Sequence, residues 1–261
     1  MTDLLANLAD VTVRYPGAAE PALQGVTFDI QRGERLAIVG ESGSGKSTLA
    51  LALAGLAPRG SRIDGRIDWR GLGHAPVPGK DLGMVFQDPS NSLNPVLRVG
   101  EQIAEVVERH LGLGRREAFA RAKELIAQVK LPDPARLVRA YPHQLSGGQR
   151  QRIAIAEALA ASPTLLIADE ATSALDTIVQ AEILALLDKL VRERGSTLMF
   201  VTHDIALAAQ FADRIVVFHR GRLMEVGEAA AVMSRPTSDY TQTLLASHIG
   251  LSTPPLIGAG P

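Results

Sequence analysis

The spacing of hydrophobic residues changes several times along this chain, and each change predicts an element. From about Asp10 to Ile30 apolar and polar residues alternate, with Val11 and Val13, then Val26, Phe28 and Ile30, on one side. That period of two predicts antiparallel strands with one face in water, broken at Tyr15-Pro16-Gly17. Glu34 to Val39 is a short apolar, β-branched run and predicts a strand, whereas Thr48 to Ala54 is built of strong helix formers. Pro58 to Ser61 is a turn cluster, Ile63 to Trp69 predicts an edge strand or hairpin, and Gly71 to Lys80 predicts a loop. Leu82 to Phe86 predicts a short strand ending at Gln87, and Asp88 to Pro95 predicts an ordered polar loop.

The middle of the chain turns helical. Ile103, Val106, Val107 and Leu111 form one apolar stripe, and Phe119, Ala122, Ile126 and Val129 form a second. Gly112 and Gly114 separate them, and Leu131-Pro132-Asp133-Pro134 stops the second. Residues 96–161 therefore read as an all-helical insertion between strands. Strands resume at Thr164 to Ala168 and at Thr197 to Val201, separated by a helix with Val179, Ile183, Leu186, Leu187 and Leu190 on one face. Both strands are unbroken apolar runs, as expected of a parallel sheet covered on both faces. Ile215 to Phe218 and Leu223 to Val226 flank a glycine turn and predict a hairpin, and the chain ends in a loose tail expected over 249–261.

With 261 residues, 46% hydrophobic and 21% charged, the chain has material for one large globular unit or two lobes. A formal net charge of −1 carries no basic signature for nucleic acid, so no nucleic-acid partner is expected. The absence of cysteine excludes disulfides, thiolate metal sites and a catalytic thiol. Met1 to Leu5 lacks the basic-then-apolar pattern of a secretory leader, and no run is long enough to span a bilayer. A role at a membrane would require another chain to hold this one there.

Three stretches carry chemistry. Gly40-Glu41-Ser42-Gly43-Ser44-Gly45-Lys46-Ser47 follows a strand and, with Thr48, opens a helix, which is the context of a phosphate-binding loop. There glycines let backbone N–H groups face a phosphate, the helix adds its positive end, Lys46 reaches the β- and γ-phosphates, and Ser47 ligates Mg²⁺. The alternative is a glycine turn before an ordinary helix. Leu165 to Ala168 runs into Asp169-Glu170: Asp169 would hold Mg²⁺ through water, and Glu170 would act as base toward the attacking water. The alternative is that the two acids cap the next helix. Leu145-Ser146-Gly147-Gly148-Gln149 precedes a helix carrying Ile153, Ala156, Leu159 and Ala160, and reads either as a second anion site or as a plain Ser146 cap. Tyr15, 25 residues before Gly40, is either turn packing or a ring that stacks on adenine.

Together, Gly40 to Ser47, Gln87, Leu145 to Gln149, Ala168-Asp169-Glu170, Ser173-Ala174-Leu175-Asp176 and His203 stand in the order and spacing of the ATP-binding cassette family, and from Leu8 to Ala246 the chain resembles an ATPase subunit of that family. The resemblance implies an α/β fold with a P-loop NTPase (RecA-like) core, an antiparallel β subdomain and an inserted helical subdomain. Residues 1–95 and 162–248 would form the core with its β subdomain, and 96–161 the helical one. It implies a head-to-tail dimer with ATP between the loop of one subunit and Ser146 to Gln149 of the other. Tyr15 would stack on adenine, Gln87 would sense Mg²⁺ and the attacking water, and Ser146, Gly147 and Gly148 would bind the γ-phosphate of the partner's ATP. Asp176 would couple the two sites and His203 would contact the γ-phosphate. His74, His110, His143, His219 and His248 are given no such role.

Phe86 to Pro95 and Arg235 to Leu245 resemble the peptide and nickel importer branch of the family. That branch implies ATP hydrolysis powering import of oligopeptides, dipeptides or nickel chelates. It also implies transmembrane permease subunits, a second ATPase subunit (identical or not), an extracytoplasmic solute-binding protein contacted indirectly, and a peripheral place on the cytoplasmic face of the membrane. Ser238-Asp239 where the branch usually has His-Pro, Ala171 where Pro is common, and Glu157 where Arg is frequent all depart from the pattern without touching a phosphate-contacting position. The competing expectation is a soluble, non-transport ATPase of the same family, but only about 60 residues without heptads separate Gln87 from Ser146, too few for the long coiled coil of repair members.

Overall fold

The structure, a computed structural model, describes residues 3–88, 92–170 and 177–252. Its centre is a six-stranded sheet of order β5-β6-β7-β3-β8-β9: β5 (Leu82–Val85), β6 (Leu165–Asp169), β7 (Thr197–Thr202), β3 (Arg35–Val39), β8 (Arg214–His219) and β9 (Arg222–Glu228). The first five run parallel, and only β9 is antiparallel, joined to β8 by the expected tight turn. Side chains on successive residues of these strands enter opposite cores. Leu36, Ile38, Leu165, Ile167, Met199 and Val201 belong to one apolar cluster, whereas Ala37, Val39, Leu166, Ala168, Leu198 and Phe200 belong to the other. Burial on both faces is why these strands read as continuous apolar runs.

A second sheet of order β2-β1-β4, all antiparallel, closes the first of those cores: β1 (Leu4–Arg14), β2 (Leu23–Gln31) and β4 (Arg62–Asp68). β1 begins six residues before the alternation detected in the sequence. The cause is a register shift between Leu8 and Val11, with Asp10 at φ 53°, which moves the buried set from Leu8 to Val11 and hides the period. Gly65 on β4 crosses here, where a Cβ would lie 2.2 Å from the Asp10 carbonyl oxygen. β4 is the exposed edge strand, not half of a hairpin with its chain neighbour. Helix α1 (Lys46–Ala54) packs within the same core through Leu49, Ala50 and Leu53.

The other core is covered by α2 (Val99–Leu111), α3 (Arg115–Gln128), α4 (Pro134–Leu137) and α5 (Gly147–Ala158), then α6 (Thr177–Arg194), α7 (Ile205–Phe211), α8 (Ala229–Ser234) and α9 (Asp239–Ser252). The stripe expected on α2 buries Ile103 and Val107 but leaves Leu111, its last residue before the Gly112 cap, 43% exposed. In α3 the buried face is Ala118, Ala122, Leu125 and Ile126, with Phe119 only partly covered. The α9 helix runs to Ser252, into the stretch expected as a loose tail from 249. Among the described residues no helix is long and apolar enough to cross a membrane.

Charged pairs fix where β3 enters the sheet. Glu34 is buried and accepts from the Gln31 N–H at 2.7 Å and from Arg214 Nη1 at 3.1 Å. Arg35 donates through its backbone N–H (2.8 Å) and Nε (3.0 Å) to Asp213 Oδ2, and its Nη1 lies 3.3 Å from Asp188. The opposite, C-terminal end of β3 is thereby held in line with the ends of β5, β6 and β7, where ligands of open parallel sheets gather.

Candidate functional site

β3 ends at Val39 and the chain turns through Gly40 to Gly45 into α1. Glycine is demanded twice on steric grounds: a Cβ at Gly40 would lie 2.2 Å from the Phe218 carbonyl oxygen, and one at Gly45 would lie 2.7 Å from that of Ala22. No side chain caps α1, so its first-turn N–H groups are free to face an anion. Lys46 is only 3% exposed, and its Nζ donates to the Gly40 and Glu41 carbonyls at 2.8 Å each, 3.9 Å from Glu170 Oε1. Burial pushes the Lys46 ammonium below its usual range, while Glu170, Asp169 and Glu41 pull it back. The Ser44 hydroxyl in the same loop is buried without a hydrogen-bond partner. An orphaned donor, a buried cation and an uncapped helix start fit a phosphate group.

The acids arrive at the same edge. Ser47 Oγ donates to Asp169 Oδ1 at 2.9 Å, so the two expected Mg²⁺ ligands meet although 122 residues separate them. Burial raises the Asp169 carboxyl; the Ser47 hydrogen bond and Lys46 oppose this, and Glu170 adds to it. Glu170 sits just past β6 at φ 43°, a left-handed conformation costing a non-glycine residue about 1–3 kcal/mol. That bend turns it off the strand line to where Gln87 Nε2 donates to its Oε2 at 3.0 Å. Lys46, Ser47, Gln87, Asp169 and Glu170 thus form one cluster. The Tyr15 hydroxyl donates to Thr48 Oγ1 at 3.0 Å, which ties the ring to the first turn of α1. His203 stands exposed just after β7.

Ser146 to Gln149 is built differently. Ser146 Oγ accepts from the Gln149 N–H at 3.3 Å, and Gln149 Oε1 accepts from the Ser146 N–H at 3.0 Å, so the helix-cap reading describes this stretch within the chain. Ser146 and Gly147 are exposed, and a Cβ built on Gly147 or Gly148 would meet nothing within 4 Å. Neither glycine has a positive φ. The chain's own packing therefore gives no reason for glycine at either position. Among the described residues no hydrogen bond joins this stretch to Gly40–Ser47. Asp176, with Ser173, Ala174 and Leu175, lies outside the described residues, as does Pro89-Ser90-Asn91 of the polar loop.

One contact of the loop was not legible in the sequence. Gly221, in the turn between β8 and β9, donates its N–H to the Ser44 carbonyl at 3.0 Å. Its sequence context marks a hairpin glycine and nothing more.

The sheet order, the loop and its acids define a nucleotide-binding cassette. Residues 23–173 match the model of the ABC transporter family, more than half of the chain, and the chain belongs to that family. It is 42% identical over 255 residues to the oligopeptide transport ATP-binding protein OppD of Bacillus subtilis, covering 93% of this chain and 71% of that protein. It is also 42% identical over 253 residues to the glutathione import ATP-binding protein GsiA of Salmonella typhimurium, covering 91% of this chain but 41% of that protein. The chain thus spans less than half of the length of the latter relative. Among solved structures, a dimeric post-hydrolysis state of the ATP-binding cassette MJ0796 bound to ADP and Pi superposes with a TM-score of 0.74 at 33% identity, over 86% of this chain and 98% of that one.

Proposed function

We propose that this chain is an ATP-hydrolysing subunit that powers import of peptides through a membrane transporter. The observation that carries the reading is the cluster of Lys46, Ser47, Asp169, Gln87 and Glu170 at the C-terminal strand ends. Gly40 to Ser47, with Thr48, hold the triphosphate, and Tyr15 covers the adenine. Ser47, Asp169 and Gln87 would hold Mg²⁺, which when bound would neutralise charge on the phosphates. Glu170, oriented by Gln87, accepts a proton from the attacking water; a positioned base contributes about 10²–10⁴-fold. His203 faces the γ-phosphate.

The open surface at Gly147 and Gly148 supports a composite site. A second subunit's triphosphate would approach Ser146, Gly147, Gly148 and Gln149 head-to-tail, with Asp176 linking the two sites. Residues 1–95 and 162–248 act as the core and 96–161 as the helical subdomain that carries this surface. Binding of the γ-phosphate draws two subunits together and its loss releases them. The stretch from Gln87 to Pro95 passes that motion to permease subunits, with a solute-binding protein acting further away, and the chain works peripherally at the cytoplasmic face. The names of the relatives, oligopeptide and glutathione import, favour peptide cargo over nickel and transport over a soluble role. Co-purification with multi-spanning membrane subunits, with ATP hydrolysis raised by peptide-loaded binding protein, tests it. ATPase activity indifferent to any membrane partner would sink the transport reading.

A further inference from the structure

The phosphate loop rests against chain that lies far beyond it in sequence. β8 and β9 are joined by Arg220 and Gly221, with φ 46° and 77°. Positive φ at both is what a tight I′ hairpin turn requires, and its twist matches that of the strands it joins. Gly221 is bound through both of its backbone groups. Its N–H donates to the Ser44 carbonyl at 3.0 Å, and its carbonyl accepts from the Gln24 N–H of β2 at 2.8 Å. Arg222 Nε adds a bond to Gln24 Oε1 at 3.1 Å. A Cβ at Gly221 would lie 2.7 Å from the Ala22 carbonyl oxygen, so the site demands glycine. The turn is thus pinned between the start of β2 and the phosphate loop.

The bond to Ser44 orients a second group. A trans peptide is planar, with its C=O and N–H pointing in opposite directions. The Ser44 carbonyl and the Gly45 N–H share one such trans plane. Holding the carbonyl toward Gly221 therefore aims the Gly45 N–H away from the turn and into the loop. Among the described residues that N–H donates to no acceptor, and Gly45 is the N-cap of α1, where no side chain takes the place of an anion. Gly45 also lies close to the turn: a Cβ there would stand 3.4 Å from Gly221 Cα. The plainer account is a hairpin turn that touches the loop in passing. Against it stand two hydrogen bonds on one residue and an unused donor on the peptide that they orient.

We propose that Gly221 is a positioning residue for nucleotide binding: by holding the Ser44 carbonyl it turns the Gly45 N–H toward the phosphates, and the β8–β9 turn thereby sets ATP affinity. This rests on the reading of Gly40–Ser47 as the nucleotide site. Without the Gly221 donor the Ser44–Gly45 peptide is free to rotate, and the nucleotide loses a hydrogen bond that was aimed in advance.

The test titrates the full chain with a fluorescent ATP analogue and follows thermal unfolding in parallel. Glycolate in place of Gly221, introduced as an ester link, deletes the N–H and keeps the shape. Gly221→Ala instead forces the turn off the Ala22 carbonyl. Gly195→Ala is the control: at φ 64°, with nothing within 4 Å of the added carbon, it strains the backbone before β7, at the far ends of the strands. The ester and Gly221→Ala are each expected to weaken ATP binding about tenfold, the worth of about one hydrogen bond. Gly195→Ala is expected to lower the melting temperature with affinity within about twofold of wild type. In proton–nitrogen correlation spectra the Gly45 amide signal is expected to move downfield when ATP is added to the wild type, and to move less in Gly221→Ala; lost stability alone would not change that signal. Affinity of the ester chain within about twofold of wild type overturns the proposal. So does a Gly45 signal that moves in Gly221→Ala as it does in the wild type, or an equal loss of affinity in Gly195→Ala. If Gly221→Ala fails to fold, the ester titration decides. With Lys46→Ala impaired in the same series, each of these overturning results leaves the nucleotide site standing. A wild-type chain that does not bind the analogue overturns both.

Discussion

Gln87 Nε2 donates to Glu170 Oε2 at 3.0 Å, so side chains from the ends of two neighbouring strands meet at the mouth of the sheet. The bond orients one carboxylate oxygen and leaves Oε1 toward Lys46, 3.9 Å away. Glu170→Gln keeps the shape and removes the carboxylate proposed as base. ATP binding is expected to stay within about threefold of wild type while hydrolysis falls by about 10²-fold or more, and an ATP-bound dimer accumulates. Steady-state phosphate release and size-exclusion chromatography with ATP check this; undiminished turnover removes Glu170 as base.

Lys46 is a buried cation whose ammonium is held by two carbonyls and feels three acids, Glu170, Asp169 and Glu41. Lys46→Ala deletes the charge-assisted hydrogen bonds it would make to a triphosphate, worth about 1.5–3 kcal/mol, or about 10- to 100-fold in affinity. Calorimetric titration with ATP reads the loss directly. Unchanged affinity contradicts the phosphate-loop assignment.

Gly148 has room for a side chain inside its own subunit, so Gly148→Ala is expected to leave thermal stability and monomer ATP binding nearly unchanged. If a second subunit's triphosphate must approach that surface, the added methyl and, more strongly, Ser146→Arg will abolish hydrolysis and dimer formation. Wild-type turnover in Ser146→Arg would falsify the composite site.

Glu157 tests the groove at which β5 and α5 meet. It lines a cavity of about 170 Å³ together with Leu56, Met84, Phe86 and Val106. Burial and the neighbouring Glu105 push its carboxyl up to about 7. The folded state therefore holds this proton more tightly than the unfolded chain does, and stability falls as pH rises from about 4.5 through about 7. Because the residue is only half-buried by surface area, the effect is about 1–2 kcal/mol, less than the full shift would give. Glu157→Gln should remove this slope and raise the urea midpoint at pH 8 relative to wild type; identical pH profiles for the two proteins refute it.

Strands buried on both faces and the glycine loop were legible because each is a local pattern. Leu36 to Val39 and Leu165 to Ala168 read as apolar runs for the reason the structure shows: their alternate residues enter two separate cores. The start of β1 at Leu4 was not legible, because the shift between Leu8 and Val11 breaks the alternation on which the reading depends. Ser146 shows the limit for the site. Its pattern announces a helix cap, which is true within the chain, and nothing local says that the glycines after it lack a packing reason.

Local chemistry alone therefore determined the strand, glycine loop and helix at Gly40–Ser47, the acids at the end of β6, and the family to which the chain belongs. Only the tertiary structure decided that Ser47 meets Asp169, that Gln87 meets Glu170, and that Gly221 stands behind the loop. The physical reason is separation along the chain. A motif states which groups can bind a phosphate, but their distances follow from strand order and from how two cores pack against one sheet, and no stretch of a few residues encodes either.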